Sequence, residues 1–491
     1  MVGKNILVFS DGTGQAGGYM PDEARSNVYK LYRAARVSPD TRIDPKRQIA
    51  FYDAGLGSRP NGEDGKFGWP RRIYNLLSKA TGLGITRNII DCYGAIIRVW
   101  QPGDRIYLFG FSRGAYTVRC VGGVLKYCGV PTAVRGRNGE ALPLQRDTVS
   151  VRRIASEAVK RVYQHGSSIK GDPQREERER RAIRFRAKYF AGDGQVSNTA
   201  PYFIGVWDTI ETLGAGTRGL SLLAGAYELF AALLCGVPAC AWDWPFWPMF
   251  VALGLGLPLV IYVLGCIRYK GLVSMARYRM AFYDTKLHYA VRYARHALSI
   301  DENRESFACI LWDDDGERNA RADRLRDVAR FRQVWFAGNH CDIGGGYPET
   351  ESRLSDVALA WMVQEAMSLP EPVRVDHSLL QMHPDCAGMQ HDERQAFLCT
   401  LPRWLRRCAT LLLGPNIVGW REGDRQISSE AELHPSVRER FALNSVLIHG
   451  SMLPYRPSAL RMHPEVRAYW ADPRVAGTRA ACPRAARRLR F

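Results

Sequence analysis

The stretch Tyr107-Leu108-Phe109-Gly110-Phe111-Ser112-Arg113-Gly114-Ala115 constrains this chain more than any other. The apolar run from Ile106 to Phe109 reads as a buried strand, and the residues from Arg113 onward read as a helix. Between them stands Gly110-x-Ser112-x-Gly114, the spacing of a nucleophile elbow. Such an elbow is a sharp strand-to-helix turn that holds a serine oxygen above the sheet edge. The two glycines suit a strained turn whose flanking backbones approach closely. The helix start aims backbone N–H groups and the positive end of a dipole at the serine. Away from a strand–helix junction the same spacing is an ordinary tight turn. At this junction it marks Ser112 as a candidate nucleophile.

Other strands frame the elbow. Ile6 to Phe9 is an uninterrupted apolar run that ends in the loop Ser10-Asp11-Gly12-Thr13-Gly14. Gln48 to Tyr52 is a second strand, Pro201 to Trp207 a third that ends at Asp208, and Val334 to Gly338 a fourth that leads to Asn339-His340-Cys341-Asp342. Helical patterns start at Ser26 and run from Thr86 to Trp100, where Pro102-Gly103-Asp104 stops them. Strands alternating with helices predict an α/β fold with a mostly parallel sheet wrapped by helices.

Sites in open α/β sheets gather at the carboxyl ends of strands. Ser112, Asp208 and His340 all stand at such ends, in the chain order of the α/β-hydrolase triad. Each has a plainer alternative. Asp208 can be a helix cap, His340 a structural histidine, and Asp342 can replace Asp208 as the acid. His165, His288, His296, His434 and His449 lack the strand-end setting.

The formal net charge of +19 implies attraction to polyanions, either nucleic acid or anionic lipid. No nucleic-acid-binding motif is present, and the charge is diffuse outside the Arg-rich tail after Asp472. The twelve cysteines have no regular spacing and read as buried thiols of a reducing compartment. The N-terminal segment does not read as a signal peptide. Residues 134–190 are helical in pattern, and the run Gln174 to Arg181 reads as a solvated helix face. Asp313-Asp314-Asp315 reads as a turn without metal partners, and Asp11 lacks the second aspartate that phosphotransferase loops need, because Phe9 stands there.

Residues 219–267 differ in kind. Leu220 to Ala241 is apolar apart from Ser221 and Glu228, and Met249 to Ile267 runs nineteen residues without a charge. The tryptophans between them suit a membrane interface. Arg218 precedes the pair, and Arg268, Lys270, Arg277 and Arg279 follow it. Length and flanking charge predict a hydrophobic helical hairpin that enters the membrane and returns to the cytoplasmic side. A buried helix pair in a hydrolase cap is the alternative.

The chain resembles the bacterial type VI secretion phospholipase effectors, with their α/β-hydrolase-like domain. The resemblance rests on ILVFSDGTG near the N-terminus, Ser26-Asn27-Val28, Gly110 to Ala115, Trp207-Asp208-Thr209, Asp301-Glu302-Asn303-Arg304, and His340-Cys341-Asp342 through Tyr347, and spans residues 4–365. It implies a Ser-Asp-His hydrolase of lipid esters, with Ser112, Asp208 and His340 in the family's roles. Cys341 departs from an expected serine, and the hydrophobic hairpin departs from the family's soluble effectors.

These readings give a hydrolase domain in two parts, residues 1–218 and 268–370, a membrane hairpin at 219–267, and a C-terminal helical region with a basic tail at 371–491. The expected reaction is phospholipase-type acyl hydrolysis, with an oxyanion hole from the Arg113 N–H and the Gly12-Thr13 loop. No metal or organic cofactor is required, and the expected partner is a lipid surface, not nucleic acid. Secretion machinery and an immunity protein remain open as partners. The expected location is the bacterial inner membrane with the catalytic domain cytoplasmic, or export by type VI secretion. Hydrolysis of soluble esters, thioesters or peptides, and a non-catalytic membrane-anchored binding module, are the competing functions.

Overall fold

A computed structural model of the chain describes residues 3–12, 24–54, 85–165, 173–210, 287–312, 328–393 and 422–471, together with parts of 227–256. By internal contacts the chain divides into two units. One comprises Met1–Asn75, Leu83–Thr212 and Tyr283–Phe491, and the other Leu76–Gly82 and Leu213–Phe282.

The larger unit is built on a seven-stranded sheet. In chain order its elements begin β1 (Asn5–Ser10), α1 (Asn27–Ala35), β2 (Gln48–Asp53), α2 (Ile85–Val99), β3 (Arg105–Phe111) and α3 (Arg113–Cys128). A small hairpin, β4 (Ala133–Arg135) and β5 (Ala141–Pro143), precedes α4 (Thr148–Glu157) and α5 (Pro173–Tyr189). Then come β6 (Phe203–Trp207), β7 (Tyr293–Ser299), β8 (Phe331–Phe336), α6 (His340–Gly344) and α7 (Arg353–Met367). The last elements are β9 (Glu432–Leu433), α8 (Pro435–Ala442), β10 (Val446–Ile448) and β11 (Ser451–Leu453). The order across the sheet is β2-β1-β3-β6-β7-β8-β9, and every adjacent pair is parallel. This is the predicted fold class.

Side chains alternate between the faces of each strand. Leu7, Phe9, Tyr107, Phe109 and Phe203 share one apolar core with Val28 and Leu31 of α1 and with Leu359 and Met362 of α7. Phe9 stacks on Phe109 at 4.9 Å, worth about 1 kcal/mol beyond its buried area. The chain runs from β1 to one neighbour, β2, and later to the other, β3. A crevice forms where strand order reverses in this way, at the carboxyl ends. Gly12 leaves β1 and Ser112 leaves β3 at that point.

Two expectations need correction, and a third lies mostly outside the described residues. In α5, Glu177 pairs with Arg180, Arg181 and Arg184 as a solvated face should, but Arg178 is buried against the Tyr127 ring. The C-terminal region holds strands as well as helix: β9 extends the main sheet and β10 pairs with β11. Most of the expected membrane hairpin lies outside the described residues. Its described residues include scattered helical positions between 227 and 240 and a short α-helix, Phe246–Phe250, followed by a π-helix, Val251–Gly256, where Gly254 and Gly256 weaken regular helix. Among the described residues no helix is long and apolar enough to cross a membrane.

Candidate active site

The elbow forms because its backbones are pressed together. A Cβ at Gly114 would lie 2.0 Å from the Ser10 carbonyl oxygen, and one at Gly110 would lie 2.5 Å from the Gly114 oxygen. Only glycine lets α3 start so close to β1 and β3. The turn leaves Ser112 at φ 57°, ψ −121°, a strained conformation that costs about 1–3 kcal/mol. The Ser112 N–H donates to the Trp207 carbonyl at 3.1 Å, which ties the elbow to the end of β6.

Asp208 follows Trp207 and is also strained, at φ 36°. Its carboxylate is fully buried. Asp208 Oδ2 accepts from His340 Nδ1 at 2.6 Å and from Arg425 Nη2 at 2.9 Å, while Oδ1 accepts from the Ser299 N–H at 3.2 Å. Burial alone would raise this carboxyl. The Arg425 guanidinium and then the His340 hydrogen bond outweigh burial and hold it at about 2. A proton on Nδ1 leaves Nε2 as the imidazole nitrogen able to accept.

His340 is the first residue of α6, whose N-cap Asn339 closes a capping box with Asp342. Its backbone N–H donates to Glu302 Oε2 at 3.2 Å, and Arg304 holds Glu302 through both carboxylate oxygens at 2.6 and 2.8 Å. The imidazole lies 4.6 Å from the Phe111 ring and 5.5 Å from the Phe307 ring. A Cβ at Gly344 would sit 1.9 Å from Phe111, so the glycine run lets α6 close onto the elbow.

Asp342 is turned elsewhere. Its Oδ1 pairs with His391 Nδ1 at 2.7 Å and its Oδ2 accepts from the Asn339 and His391 N–H groups. It is the orienter of the His340 loop; the carboxylate on His340 is that of Asp208.

The expected oxyanion loop is only partly described. A Cβ on Gly12 would lie 3.5 Å from the Ser112 Cβ, so the loop borders the serine. The Gly12 N–H, however, donates to Asp11 Oδ1 at 2.7 Å, which occupies that donor. Thr13 lies outside the described residues. The Arg113 side chain is largely buried, and burial lowers it to about 10.

Two carboxyls lie at the ends of β1 and β2, Asp11 buried and Asp53 half-buried. Asp11 accepts from Ser26 Oγ and the Tyr52 hydroxyl, and Asp53 from Ser10 Oγ at 2.9 Å. Burial raises Asp11 to about 6 against those hydrogen bonds, and raises Asp53 to about 7, with Ser10 opposing and the charges of Asp91 and Asp11 adding. Both therefore hold a proton more tightly folded than unfolded. The stability they contribute is full below the unfolded value of 3.8 and is lost as pH rises through about 6 and about 7. The melting temperature of Asp53→Asn should accordingly fall less steeply than that of the parent across this window. Equal slopes in the two proteins would count against a shifted Asp53.

Several residues at the site carry weak sequence signals. Strand β7 is buried throughout, yet Arg295 and His296 interrupt its apolar pattern. His296 Nε2 accepts from the Thr209 N–H at 3.2 Å, next to Asp208, and burial lowers this histidine to about 3, so it is neutral. Arg425 and His391 lie in the C-terminal region, where no motif announced them. The one available signal was the Glu302-x-Arg304 pair within a matched motif.

The parallel sheet has an α/β-hydrolase-like fold, with a strained serine and aspartate at adjacent strand ends and a histidine bonded to that aspartate. Residues 4–365 match the model of the type VI secretion phospholipase effector family, Tle1-like catalytic domain, and the chain belongs to this family. A curated yeast relative, an uncharacterized protein of Saccharomyces cerevisiae, is 34% identical over 133 residues, 26% of this chain and 18% of the yeast protein. Among solved structures, an uncharacterized protein from Pseudomonas aeruginosa aligns at 14% identity and TM-score 0.35, covering 77% of this chain and 48% of that one. The Tle1 effector bound to the VgrG spike of the type 6 secretion system aligns at 14% identity and TM-score 0.29, covering 72% and 53%. The chain thus spans about a fifth of the curated relative and about half of these two structures.

Proposed function

We propose that the chain is a serine hydrolase of lipid esters, a phospholipase-type acyl hydrolase. The observation that carries this reading is the 2.6 Å bond between His340 Nδ1 and Asp208 Oδ2 beside the Gly110-x-Ser112-x-Gly114 elbow. In this mechanism Ser112 Oγ attacks the ester carbonyl while His340 Nε2 takes the hydroxyl proton. Asp208 holds the Nδ1–H tautomer and stabilises the imidazolium that forms. The tetrahedral oxyanion is met by the Arg113 N–H, with one further donor expected from the Gly12-Thr13 loop. His340 then returns the proton to the departing alcohol, and water repeats the cycle on the acyl-enzyme.

Family membership supports export by type VI secretion over residence in the inner membrane, with a spike protein of the kind the Tle1 effector binds as carrier. The uncharged run Met249 to Ile267 is then a device for the target bilayer.

The test is product analysis on phospholipid vesicles. Release of fatty acid and lysophospholipid is expected, and head-group release would displace the acyl-hydrolase reading. A variant lacking residues 219–267 should still cleave a short soluble ester but lose most bilayer activity. Full bilayer activity in that variant would remove the membrane role of the insertion.

A further inference from the structure

A buried carboxylate with only an imidazole and one weak backbone N–H as partners is poorly fixed. It has lone pairs to spare and a large desolvation cost. Asp208 escapes this through a residue far away in sequence. Arg425, separated from it by 217 positions, is itself almost wholly buried and puts Nη2 2.9 Å from Asp208 Oδ2. That oxygen is the one His340 uses. Arg425 also lies beyond residues 4–365, the span that matches the family's catalytic domain.

We propose that Arg425 is a positioning residue for hydrolysis: its guanidinium locks the Asp208 carboxylate in the plane that serves His340 Nδ1 and sets how strongly that carboxylate stabilises the imidazolium. The proposal rests on the Ser112–His340–Asp208 reading and adds to it a part from the C-terminal region.

The sign of its effect follows from the charges in place. Asp208 faces His340, Arg425 and the Ser299 N–H directly, with His296 and the Cys309 thiol close behind. His296 is neutral, because burial, then Arg119, lowers it to about 3. Cys309 is neutral because burial raises it. Glu302 faces the His340 backbone as an anion: burial would raise it, but the Arg304 hydrogen bond and charge prevail, and Arg304 neutralises it in turn. Arg425 is therefore the cation that offsets the Asp208 charge felt by the imidazole. Removing it leaves the carboxylate uncompensated, and the imidazolium persists to higher pH. The base is then free only at higher pH.

The experiment compares Arg425→Gln, which keeps an N–H donor and loses the charge, with Arg425→Lys, which keeps the charge. Both are assayed in the full chain on a short soluble ester, with circular dichroism to confirm folding. Expected for Arg425→Gln is a fall in kcat of about tenfold or more with KM unchanged, and an acidic limb of the pH–rate profile displaced upward by about one pH unit. Expected for Arg425→Lys is an acidic limb at the parent position and partial recovery of kcat. An unmoved limb in a folded Arg425→Gln overturns the proposal. If Arg425→Gln does not fold, Arg425→Lys alone decides: a parent limb with reduced kcat supports the proposal, and a shifted limb or parent kcat overturns it. Loss of the fold in both variants would make Arg425 structural, again overturning it. Failure of the underlying triad would show separately, as full activity in Ser112→Ala on the same ester.

Discussion

Ser112→Ala is expected to remove ester hydrolysis while leaving the fold intact. The expected loss in kcat is about 10⁴-fold or more, with only the residual contribution of the oxyanion donors and substrate binding left. The fold should survive, because the Ser112 side chain caps nothing: the helix that follows it has no side-chain cap bond. Alanine at φ 57° bears about the same strain as serine. Melting temperature and fatty-acid release from the same preparation decide the matter. Activity within a few-fold of the parent in a well-folded Ser112→Ala would end the nucleophile assignment.

Asp208→Asn is the second large effect. The asparagine keeps the shape but can present an NH₂ group to Nδ1, which favours the wrong imidazole tautomer and should cost about 10⁴-fold in kcat. It also strips Arg425 of its charge partner inside the protein, so a stability loss on the order of 3 kcal/mol accompanies the kinetic one. The two effects separate if activity is measured well below the melting temperature. Asp342→Asn is the control. Its carboxylate holds His391 and the Asn339 cap, so its loss should loosen the His340 loop and lower activity far less. The opposite ranking, with Asp342→Asn dead and Asp208→Asn active, would transfer the acid role to Asp342.

Part of this architecture was legible because it is local. Ile6 to Phe9, Ile106 to Phe109 and Pro201 to Trp207 are continuous apolar runs, and strands buried on both faces have that signature. The elbow is likewise local: its two glycines and its strand-to-helix period lie within a few residues. Strand β7 was hidden for the converse reason. Arg295 interrupts the apolar pattern, and only folding supplies the Glu365 carboxylate and the carbonyls of Ala329 and Arg330 that make its burial tolerable. Polar satisfaction of that kind is a property of the neighbours, not of the strand.

The partners of the two aspartates show the division most clearly. The sequence by itself determined that Ser112, Asp208 and His340 stand at the carboxyl ends of strands, since periodicity and turn residues set where strands end. It left Asp208 and Asp342 both eligible, because each follows such an end. Tertiary structure alone gave His340 to Asp208, sent Asp342 to His391, and brought Arg425 across 217 positions to the Asp208 carboxylate. A buried charge must find its partner in space, and the pairing depends on which surfaces the whole sheet brings together. No local pattern of residues encodes that distance.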